Sequence, residues 1–405
     1  MKKLLVIFLL LFSGLSAGAQ YFPIHENDFI LLKGVKYTLN RMTRESKNRD
    51  TTYLWLAPPE FKIKLSYNFQ EAGMKLDWDF KYDEDVTDLE GHTTMETVPG
   101  RVRSDLLGNL TKYMGLKFSY AGVSFGMSIW KDKTKKHKNK SFSFGYKKGH
   151  WMFDFKYLKT RGNIGYRIIT GDDPSSIHYS NNEYESEYDC RMKYYQFDAY
   201  YAINRRHFAI DAAYGGRSIQ RRSSGSWMLA TRYTQGHFKL NPKEYLSYTL
   251  GDIGSYNNYQ ASVGAGYSYN IVFCHRNPRP VPYKAFNSNA RQGLRNVTLS
   301  VTMIPLITAF NQISLVPIIA DTEKPGKYVH GEAVHIGCNP RLNMIGRASL
   351  GISVNQFTFG ARVIYDRLNF KSVHAAYDPG GSFYDIHWKG LFFNWRVSAF
   401  LTYHL

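Results

Sequence analysis

Hydrophobic and polar positions alternate with a period of two along much of this chain. Such a period is typical of a β-strand with one apolar and one polar face. In residues 391–405 only Phe400 breaks the polar row, and the apolar row contains Phe393, Trp395, Val397, Ala399, Leu401, Tyr403 and Leu405. A terminal strand needs a partner for its backbone groups, and closure of a barrel would supply one. We therefore expect the last strand to pair with the first.

The same alternation recurs at residues 61–67, 74–80, 116–120, 123–129, 142–146, 151–157, 195–203, 208–214, 261–269, 297–303 and 357–365. The connections fall into two lengths. Short ones are expected near Glu71, Gly122, Gly149, Arg205 and Asn355, and long polar ones at residues 83–111, 131–140, 159–191 and 371–389. Short periplasmic turns and long external loops are typical of a membrane barrel.

These patterns predict an all-β fold. It is a transmembrane antiparallel up-and-down β-barrel of about 14 strands (range roughly 12–16), each near the roughly 9–11 residues of a tilted spanning strand. Residues 61–405 form the barrel domain in this interpretation. Residues 21–60 form an N-terminal extension, which is a first strand, a short helix or a segment inside the lumen. An aromatic-rich secreted β-sandwich is the alternative fold.

Residues 1–20 have the pattern of a secretory signal peptide. Two lysines precede an apolar run from Leu4 to Phe12, and small residues follow at Ala17 and Ala19. The run is shorter than the roughly 20 residues of a membrane-spanning helix. We expect cleavage near Gln20, and the absence of a cysteine there argues against a lipoprotein. A cleaved signal followed by a barrel predicts the outer membrane of a Gram-negative bacterium.

The composition agrees with a barrel. The 31 Tyr, 26 Phe and 7 Trp make up 16% of the chain, and barrels carry aromatic girdles at both bilayer interfaces. The mean hydropathy is −0.39, but strands that alternate lipid-facing and lumen-facing residues average to a polar value. The net charge of +19 becomes +17 when Lys2 and Lys3 leave with the signal (19 − 2). Such a charge attracts lipid phosphates or acidic solutes, and nucleic acid is not expected in this compartment.

Few motifs indicate catalysis or a cofactor. The pattern GVSFG at residues 122–126 matches a hydrolase nucleophile elbow, but it lies in a predicted strand, so Ser124 is expected to face the lumen. The histidines form no zinc motif. The acidic stretch YDEDVTD at residues 82–88 would attract calcium, but it lacks the glycine spacing of an EF-hand and is expected to be a solvated loop. No disulfide framework or metal site is indicated by Cys190, Cys274 and Cys338. No cofactor and no metal are expected.

Charged residues on the polar rows are the candidate lumen-facing sites. They are Lys62, Lys64, Asp77, Asp79, Asp154, Lys156, Asp198, Asp211, Arg217, Arg362 and Arg396. In a wide barrel they would line water, and in a narrow one they would pair across the interior. The run KDKTKKHKNK is expected to be an external basic loop, with candidate residues Lys131, Lys133, Lys135, Lys136, Lys138 and Lys140. It is either a solvated hairpin tip or a patch that faces the phosphates of lipopolysaccharide.

Several stretches resemble the domain-of-unknown-function 4421 family of exported, β-rich proteins. They are DTTYLWLAPPEFKIKLSY, KYMGLKFSYAGVSFGMSI, YYQFDAYYAINRRHFAIDAAY, RRSSGSWML and RASLGISVNQFTFGARVIYDR. The resemblance extends over residues 50–405 and implies an outer-membrane barrel. The family has no assigned activity, so it implies no catalytic, cofactor-binding or metal-binding residue.

The sequence favours a non-enzymatic outer-membrane pore, solute channel or envelope component, because the lumen rows carry charges of both signs and no catalytic motif fits its required context. The alternative is an outer-membrane enzyme that modifies lipid or peptide at a site assembled by loops. Outer-membrane lipids, lipopolysaccharide and the barrel-assembly machinery are the expected partners. The identity of the solute is left open.

Overall fold

The computed structural model describes residues 49–57, 60–87, 91–107, 111–120, 122–131, 140–148, 150–170, 190–214, 216, 218–239, 253–278, 291–320, 323–324, 327–373 and 383–405. Nearly all of the regular structure in these residues is strand. The single helical turn is a 3-10 turn at Ala212–Tyr214. Within the described residues no helix is long and apolar enough to cross a membrane.

The strands are numbered in chain order. Their bounds are β1 (Leu54–Leu56), β2 (Phe61–Thr87), β3 (Thr93–Leu107), β4 (Thr111–Tyr120), β5 (Val123–Lys131), β6 (Lys140–Lys148), β7 (Trp151–Thr170), β8 (Cys190–Ala202), β9 (Ser218–Gln220), β10 (Ser224–Lys239), β11 (Ile253–Arg276), β12 (Arg295–Ala320), β13 (Tyr328–His330), β14 (Val334–Gly337), β15 (Leu342–Val354), β16 (Phe357–Lys371) and β17 (Phe383–His404).

Twelve of the described strands close into an antiparallel barrel. Around the barrel they follow the order β2, β4, β5, β6, β7, β8, β10, β11, β12, β15, β16 and β17. The last strand pairs with the first along most of its length, from Tyr403 opposite Ile63 to Phe383 opposite Tyr82. The predicted fold class is therefore confirmed, with a strand number at the lower end of the expected range. Closure removes the exposed edge that a terminal strand would otherwise leave.

Two of the alternating segments are not separate strands. The short turn expected near Glu71 does not exist, since β2 runs without interruption and joins residues 61–67 to residues 74–80. Residues 208–214 are not a strand either, but part of a segment inside the barrel. Two strands were missed, β10 and β15. In β10 the inward row contains apolar Met228 and Ala230, so the two faces differ less in polarity.

The two faces of the barrel wall differ in chemistry. The outward face carries a belt of solvent-exposed apolar side chains, among them Phe61, Leu65, Tyr67, Met127, Ile129, Phe197, Trp227, Leu229, Val263, Tyr267, Val301, Met303, Ile307, Leu350, Ile352, Phe359, Val363, Val397 and Leu401. The inward face is mostly polar and buried, with Lys62, Asn68, Gln70, Gln196, Asp198, Arg232, Gln260, Ser268, Asn270, Thr298, Ser300, Arg347, Ser349, Asp366 and Ser398. Apolar-out and polar-in alternation is the pattern of a transmembrane barrel.

One end of the barrel has tight turns. At the β4–β5 turn Gly122 adopts a φ of 98°, and a Cβ there would meet the Lys147 carbonyl oxygen at 2.2 Å, so only glycine fits. At the β15–β16 turn Asn355 has a φ of 52° and accepts a hydrogen bond from the Gly293 amide at 2.8 Å. Both turns were predicted. Gly149 lies outside the described residues, and Arg205 lies in a turn that begins a long connection between β8 and β10, not a short one.

The opposite end has the long connections, and some of them contain more strand than predicted. Residues 93–107 form β3, which pairs with β2 and with the upper part of β7. The pairing of β6 with β7 ends at Lys159, and β3 pairs with the next part of β7, from Asn163 to Thr170. Residues 83–87 and 159–170, predicted as loop, extend β2 and β7. The tip itself, residues 132–139, lies outside the described residues.

The lumen is filled at the tight-turn end by the chain between β8 and β10. This inner segment, residues 203–223, contains the 3-10 turn and β9. Its carbonyl oxygens accept hydrogen bonds from inward side chains of the wall: Ala209 from Asn270 Nδ2 at 2.8 Å, and Ala213 from Ser349 Oγ at 2.7 Å. Gly351 allows this approach, because a Cβ there would lie 3.1 Å from the Ala213 oxygen. The inner segment therefore occupies part of the barrel interior.

Replacing Val397 with Arg should destabilise the folded barrel by roughly 2–4 kcal/mol, because the charge would face lipid near the middle of the spanning segment. Val397→Thr is the size-matched control and should cost much less. Val329→Arg is the position control, since Val329 is exposed on β13 in the long-connection region. The measurement is the free energy of unfolding in lipid vesicles by denaturant titration. Equal costs for Val397→Arg and Val329→Arg would contradict the assignment of the outward face to lipid.

Candidate functional site

The first described residues of the chain, 49–57, pair with the inner segment at the tight-turn end of the barrel. Strand β1 pairs antiparallel with β9, with Trp55 opposite Ile219. The guanidinium of Arg49 donates a hydrogen bond to Ser218 Oγ at 2.8 Å. The Arg221 amide donates to the Tyr53 carbonyl at 2.7 Å. The predicted N-terminal extension thus contributes a strand that lies on the inner segment and not in the barrel wall.

A buried ionic cluster lies close to β1 and joins the first and last strands of the barrel, β2 and β17. We call it the Glu60 clasp, and it consists of Glu60, Lys62, Arg291 and His404. The Glu60 carboxylate accepts two hydrogen bonds from Arg291, Nη2 at 2.6 Å and Nε at 2.9 Å, and one from His404 Nδ1 at 2.9 Å. Lys62 Nζ lies 3.3 Å from the same carboxylate. The clasp therefore links the connection before β12 to the first and last strands.

The electrostatics of Glu60 follow from these contacts. Burial on its own would raise the pKa of the Glu60 carboxyl. The hydrogen bond from His404 and the positive charges of Arg291 and Lys62 outweigh burial and hold the pKa of Glu60 well below its ordinary value. Glu60 is thus a stabilising anion at neutral pH.

One side of the lumen is an apolar core. Phe208 and Ile210 of the inner segment pack there against wall residues of β7, β8, β10, β12 and β15, which are Met152, Tyr200, Ala202, Met228, Ala230, Ile304, Leu306 and Ile345. An apolar cluster on the inside of a membrane barrel explains why some inward rows are not polar. It also fixes the inner segment to one half of the lumen.

Above this core lies a buried ion network. Arg232 lies 2.7 Å from Asp198 and 2.8 Å from Asp366, and none of these three side chains is more than 1% exposed. Arg347 lies 3.0 Å from Asp198 and 3.7 Å from Asp154. The two arginines and three aspartates come from five strands, β7, β8, β10, β15 and β16. Paired charges of this kind cross-link the wall through the lumen.

The other side of the lumen holds a basic cavity of about 110 Å³. Its lining comes mainly from β2, β4, β5, β6 and β7, opposite the apolar core. The charged lining residues are Lys64, Lys117, Lys147, Lys156, Arg347, Arg362, Arg396 and Asp154, and neutral polar groups include Ser66, Asn68, Gln70, Tyr113, Ser143 and Asn394. A single water needs only roughly 10–15 Å³, so the cavity can hold several waters or a small ion.

A second cavity of about 70 Å³ continues towards the tight-turn end. It shares Lys64, Lys117, Lys147, Tyr214 and Arg362 with the basic cavity and reaches the Glu60 clasp. Tyr214 of the inner segment lies at the junction. Its carbonyl accepts a hydrogen bond from Lys64 Nζ at 3.2 Å, and its ring lies 5.2 Å from Lys147 and 5.7 Å from Arg362. We call these two neighbouring cavities, which share lining residues and have Tyr214 between them, the basic passage.

Most of the candidate charges lie on inward rows. They are Lys62, Lys64, Asp154, Lys156, Asp198, Arg362 and Arg396. The residue Asp211 is also in the lumen, but on the inner segment and not on a wall strand. Arg217 lies outside the described residues.

Two candidate residues do not face the lumen. Asp77 and Asp79 share the outward row of β2 with Phe69, which pairs with outward Val397. Asp79 Oδ2 pairs with Lys389 Nζ at 2.7 Å, and both side chains are more than a third exposed. The prediction was wrong because it placed a turn near Glu71. Without that turn, β2 continues as one strand from Lys62, whose side chain faces the lumen. Asp77 and Asp79, at odd-numbered positions, therefore face outward.

The external basic loop is described only at its ends. The backbone of Lys131 ends β5, and Lys140 begins β6 with an exposed side chain. The remaining candidates, Lys133, Lys135, Lys136 and Lys138, lie outside the described residues.

Sequence reasoning missed several residues of the site. Lys117 and Lys147 lie on the polar rows of strands that were predicted, so the alternation alone could have added them. Arg232 and Arg347 lie on β10 and β15, which were not recognised as strands. Arg291 lies between strands and has no periodic signal. Only the fold brings it to Glu60.

The nucleophile-elbow pattern and the metal-ligating side chains form no catalytic arrangement in the described residues. Ser124 is buried on β5 and donates a hydrogen bond to the Gly145 carbonyl at 3.1 Å, so GVSFG forms part of a strand and not an elbow. Among the described residues, no group of three or more His, Cys, Asp or Glu side chains could hold a metal ion.

Part of the chain matches a known family model. Residues 92–277 match the family model described as Domain of unknown function (DUF4421). The resemblance drawn from the sequence is confirmed over this part of the chain. The match covers slightly less than half of the 405 residues, a shorter span than the sequence motifs implied. No curated protein matches the chain in sequence.

Three solved structures are similar to this chain at low sequence identity. The outer membrane protease OmpT from Escherichia coli is 8% identical, with 87% of this chain and 98% of that chain covered and a TM-score of 0.33. CdiB from Acinetobacter baumannii is 9% identical, with 96% and 72% covered and a TM-score of 0.22. A Pseudomonas aeruginosa FadL homologue is 11% identical, with 85% and 90% covered and a TM-score of 0.19. At these values the fold assignment rests on the strand pairing of the chain itself.

Replacing Arg232 with Met should destabilise the barrel by about 3–5 kcal/mol, because Asp198 and Asp366 would keep buried charges with too few partners. Adding Asp366→Asn to this variant should restore part of the loss. Arg367→Met is the matched control, since Arg367 is exposed on β16. Denaturant unfolding in vesicles measures all three, and an equal loss for both arginine variants would contradict the network.

Replacing Glu60 with Gln should lower stability at pH 7 by roughly 1.5–3 kcal/mol, through loss of the charge-assisted hydrogen bonds of the clasp. The sign follows from the lowered pKa of Glu60: its stabilisation is full above the unfolded value of about 4.3 and is lost as the pH falls towards the folded pKa. The difference between wild type and variant should therefore shrink below about pH 4. Unfolding measured from pH 7 to pH 2 tests this, and a constant difference would exclude the ionised carboxylate as its source.

Proposed function

We propose that this chain is a non-enzymatic outer-membrane solute channel that the inner segment closes in the conformation described. The observation that carries the proposal is the basic passage through one half of the lumen, which narrows at Tyr214 of the inner segment. A purely structural plug would be expected to fill the lumen evenly. Here Phe208 and Ile210 of the inner segment belong to an apolar core on one side, and charged side chains line the basic passage on the other.

The contacts of the inner segment support movement within the barrel. On the cavity side it is held by single hydrogen bonds and by cation–π contacts, which involve Lys64, Lys147 and Arg362. Its β1–β9 pairing is only three residues long. A short ladder and isolated polar contacts favour local opening over unfolding of the whole barrel.

The proposal includes a location and partners. The apolar belt lies in the outer membrane of a Gram-negative bacterium, after removal of the signal peptide. The basic connection between β5 and β6 lies outside the cell, next to lipopolysaccharide phosphates, and the last strand is recognised by the barrel-assembly machinery. The alternative, an enzyme acting on lipid or peptide, is less well supported because the buried charges lie deep in the lumen and not at a rim open to such substrates.

Conductance in planar bilayers tests the closed channel. Wild type should show long closed periods, and the double variant Asn270→Ala with Ser349→Ala should open several times more often, because it removes the hydrogen bonds to the Ala209 and Ala213 carbonyls. Ser268→Ala is the matched control, since Ser268 hydrogen-bonds to Thr302 of the wall at 2.6 Å. A change in mobility between unheated and heated gel samples shows that each variant is folded. A permanently open wild type, or a folded double variant that opens no more than wild type, would contradict the proposal.

A further inference from the structure

The basic cavity has a large excess of positive charge. Seven cationic side chains line it, and the one carboxylate among its lining residues is Asp154. Arg347 lies 3.7 Å from that carboxylate, and its shorter contact is with Asp198 at 3.0 Å. The one acidic group of the lining is therefore already shared with an arginine of the ion network.

The other cations have no carboxylate partner. Among the described residues, no acidic group lies within ion-pair distance of Lys117, Lys156, Arg362 or Arg396. Two of them also have buried nitrogens without any hydrogen-bond partner, Lys156 Nζ and Arg362 Nε. Removing a charge from water without a partner costs free energy. We therefore expect these buried cations to lower the stability of the folded barrel.

The direct contacts of Lys64, Lys147 and Arg362 in this cavity are with neutral groups. Lys64 donates to the Tyr214 carbonyl and lies 3.4 Å above the Phe400 ring, and Lys147 and Arg362 face the Tyr214 ring. Carbonyl and aromatic contacts attract a cation but carry no net negative charge. The lining thus has several fixed positive charges around a space that can hold a small solute.

We propose that the basic cavity binds a compact oxyanion with two negative charges, of the phosphate or phosphomonoester class. Arg362 and Arg396 can each donate two parallel hydrogen bonds to such an oxyanion, and Lys117 and Lys156 supply point charges. Ser66, Asn68 and Ser143 line the same space with neutral donors. The idea that this anion is the solute of the channel rests on the proposed function. Equilibrium binding of the anion does not require permeation, so binding and permeation can be tested separately.

The position of the cavity fits entry of a charged solute from the long-connection end. Its lining reaches Ser141 and Leu158, at the upper end of β6 and of the paired part of β7. The described part of the β5–β6 hairpin ends near there, at Lys131 and Lys140. Fixed positive charge in the cavity raises the local concentration of anions and speeds their association.

Calorimetric titration of the full mature chain with inorganic phosphate tests the site. The protein is kept in zwitterionic detergent at constant ionic strength with chloride. Wild type should bind one phosphate saturably, and Arg396→Met and Lys117→Met should each weaken binding about tenfold, the loss of roughly one charge-assisted hydrogen bond. Lys389→Met is the matched control, because Lys389 pairs with Asp79 on the outer wall, and it should bind as wild type does.

Stability distinguishes a binding site from misfolding. Without phosphate, Arg396→Met should unfold at the same or a higher temperature than wild type, because it removes a charge from a cluster of like charges. Phosphate should raise the unfolding temperature of wild type and of Lys389→Met, but raise that of Arg396→Met far less. A structural role for Arg396 would give the opposite result in the absence of phosphate.

Three results would overturn the proposal. The first is no saturable phosphate binding by wild type, and the second is phosphate binding that Arg396→Met and Lys117→Met leave unchanged. The third is succinate binding as tightly as phosphate, which would show a general attraction for dianions.

The source of the phosphate group is tested in lipid vesicles. Competition by an anionic phospholipid, absent with phosphatidylcholine alone, would assign the cavity to lipid headgroups and overturn its assignment to a free solute.

Discussion

Every backbone amide and carbonyl in a strand that crosses lipid needs a partner within the protein, because the hydrocarbon supplies none. In this chain the pairing of β17 with β2 provides the last of these partners. The outward apolar belt, the inward polar rows and the enclosed lumen all depend on that closure. A sheet left open at β17 would expose an edge to lipid and would have no interior in which to bury its charges.

Closure also encloses a lumen that other parts of the chain must fill. Twelve strands enclose a space too large for the wall side chains alone to fill on every side, and the inner segment occupies one half of it through the apolar core around Phe208. The ion network around Arg232 connects strands on that half across the interior. Where wall and inner segment do not meet, polar side chains remain around open space, and this is where the basic passage lies.

The charges of the lumen divide into two groups with different energetics. Asp198, Asp366, Arg232 and Arg347 are paired and buried, so each stabilises the others and none is free for a solute. Lys117, Lys156 and Arg396 line the cavity and, among the described residues, have no acidic group within ion-pair distance. Groups that are costly to fold and have no structural partner are typical of functional sites.

The sequence by itself determined the properties that depend on neighbours along the chain. The period of two showed which side of each regular strand is apolar, so the outward face of Val397, the inward face of Arg396 and the pairing of the last strand were predictable. It failed at Asp77 and Asp79, where the direction depended on a turn that is absent, and at β10, whose inward Met228 and Ala230 pack on the inner segment. Only the tertiary structure decided which strands are joined, that residues 203–223 enter the lumen, and that Arg291 meets Glu60. The physical reason is that these contacts join residues far apart in sequence, and alternation along a strand carries no information about what lies across the barrel.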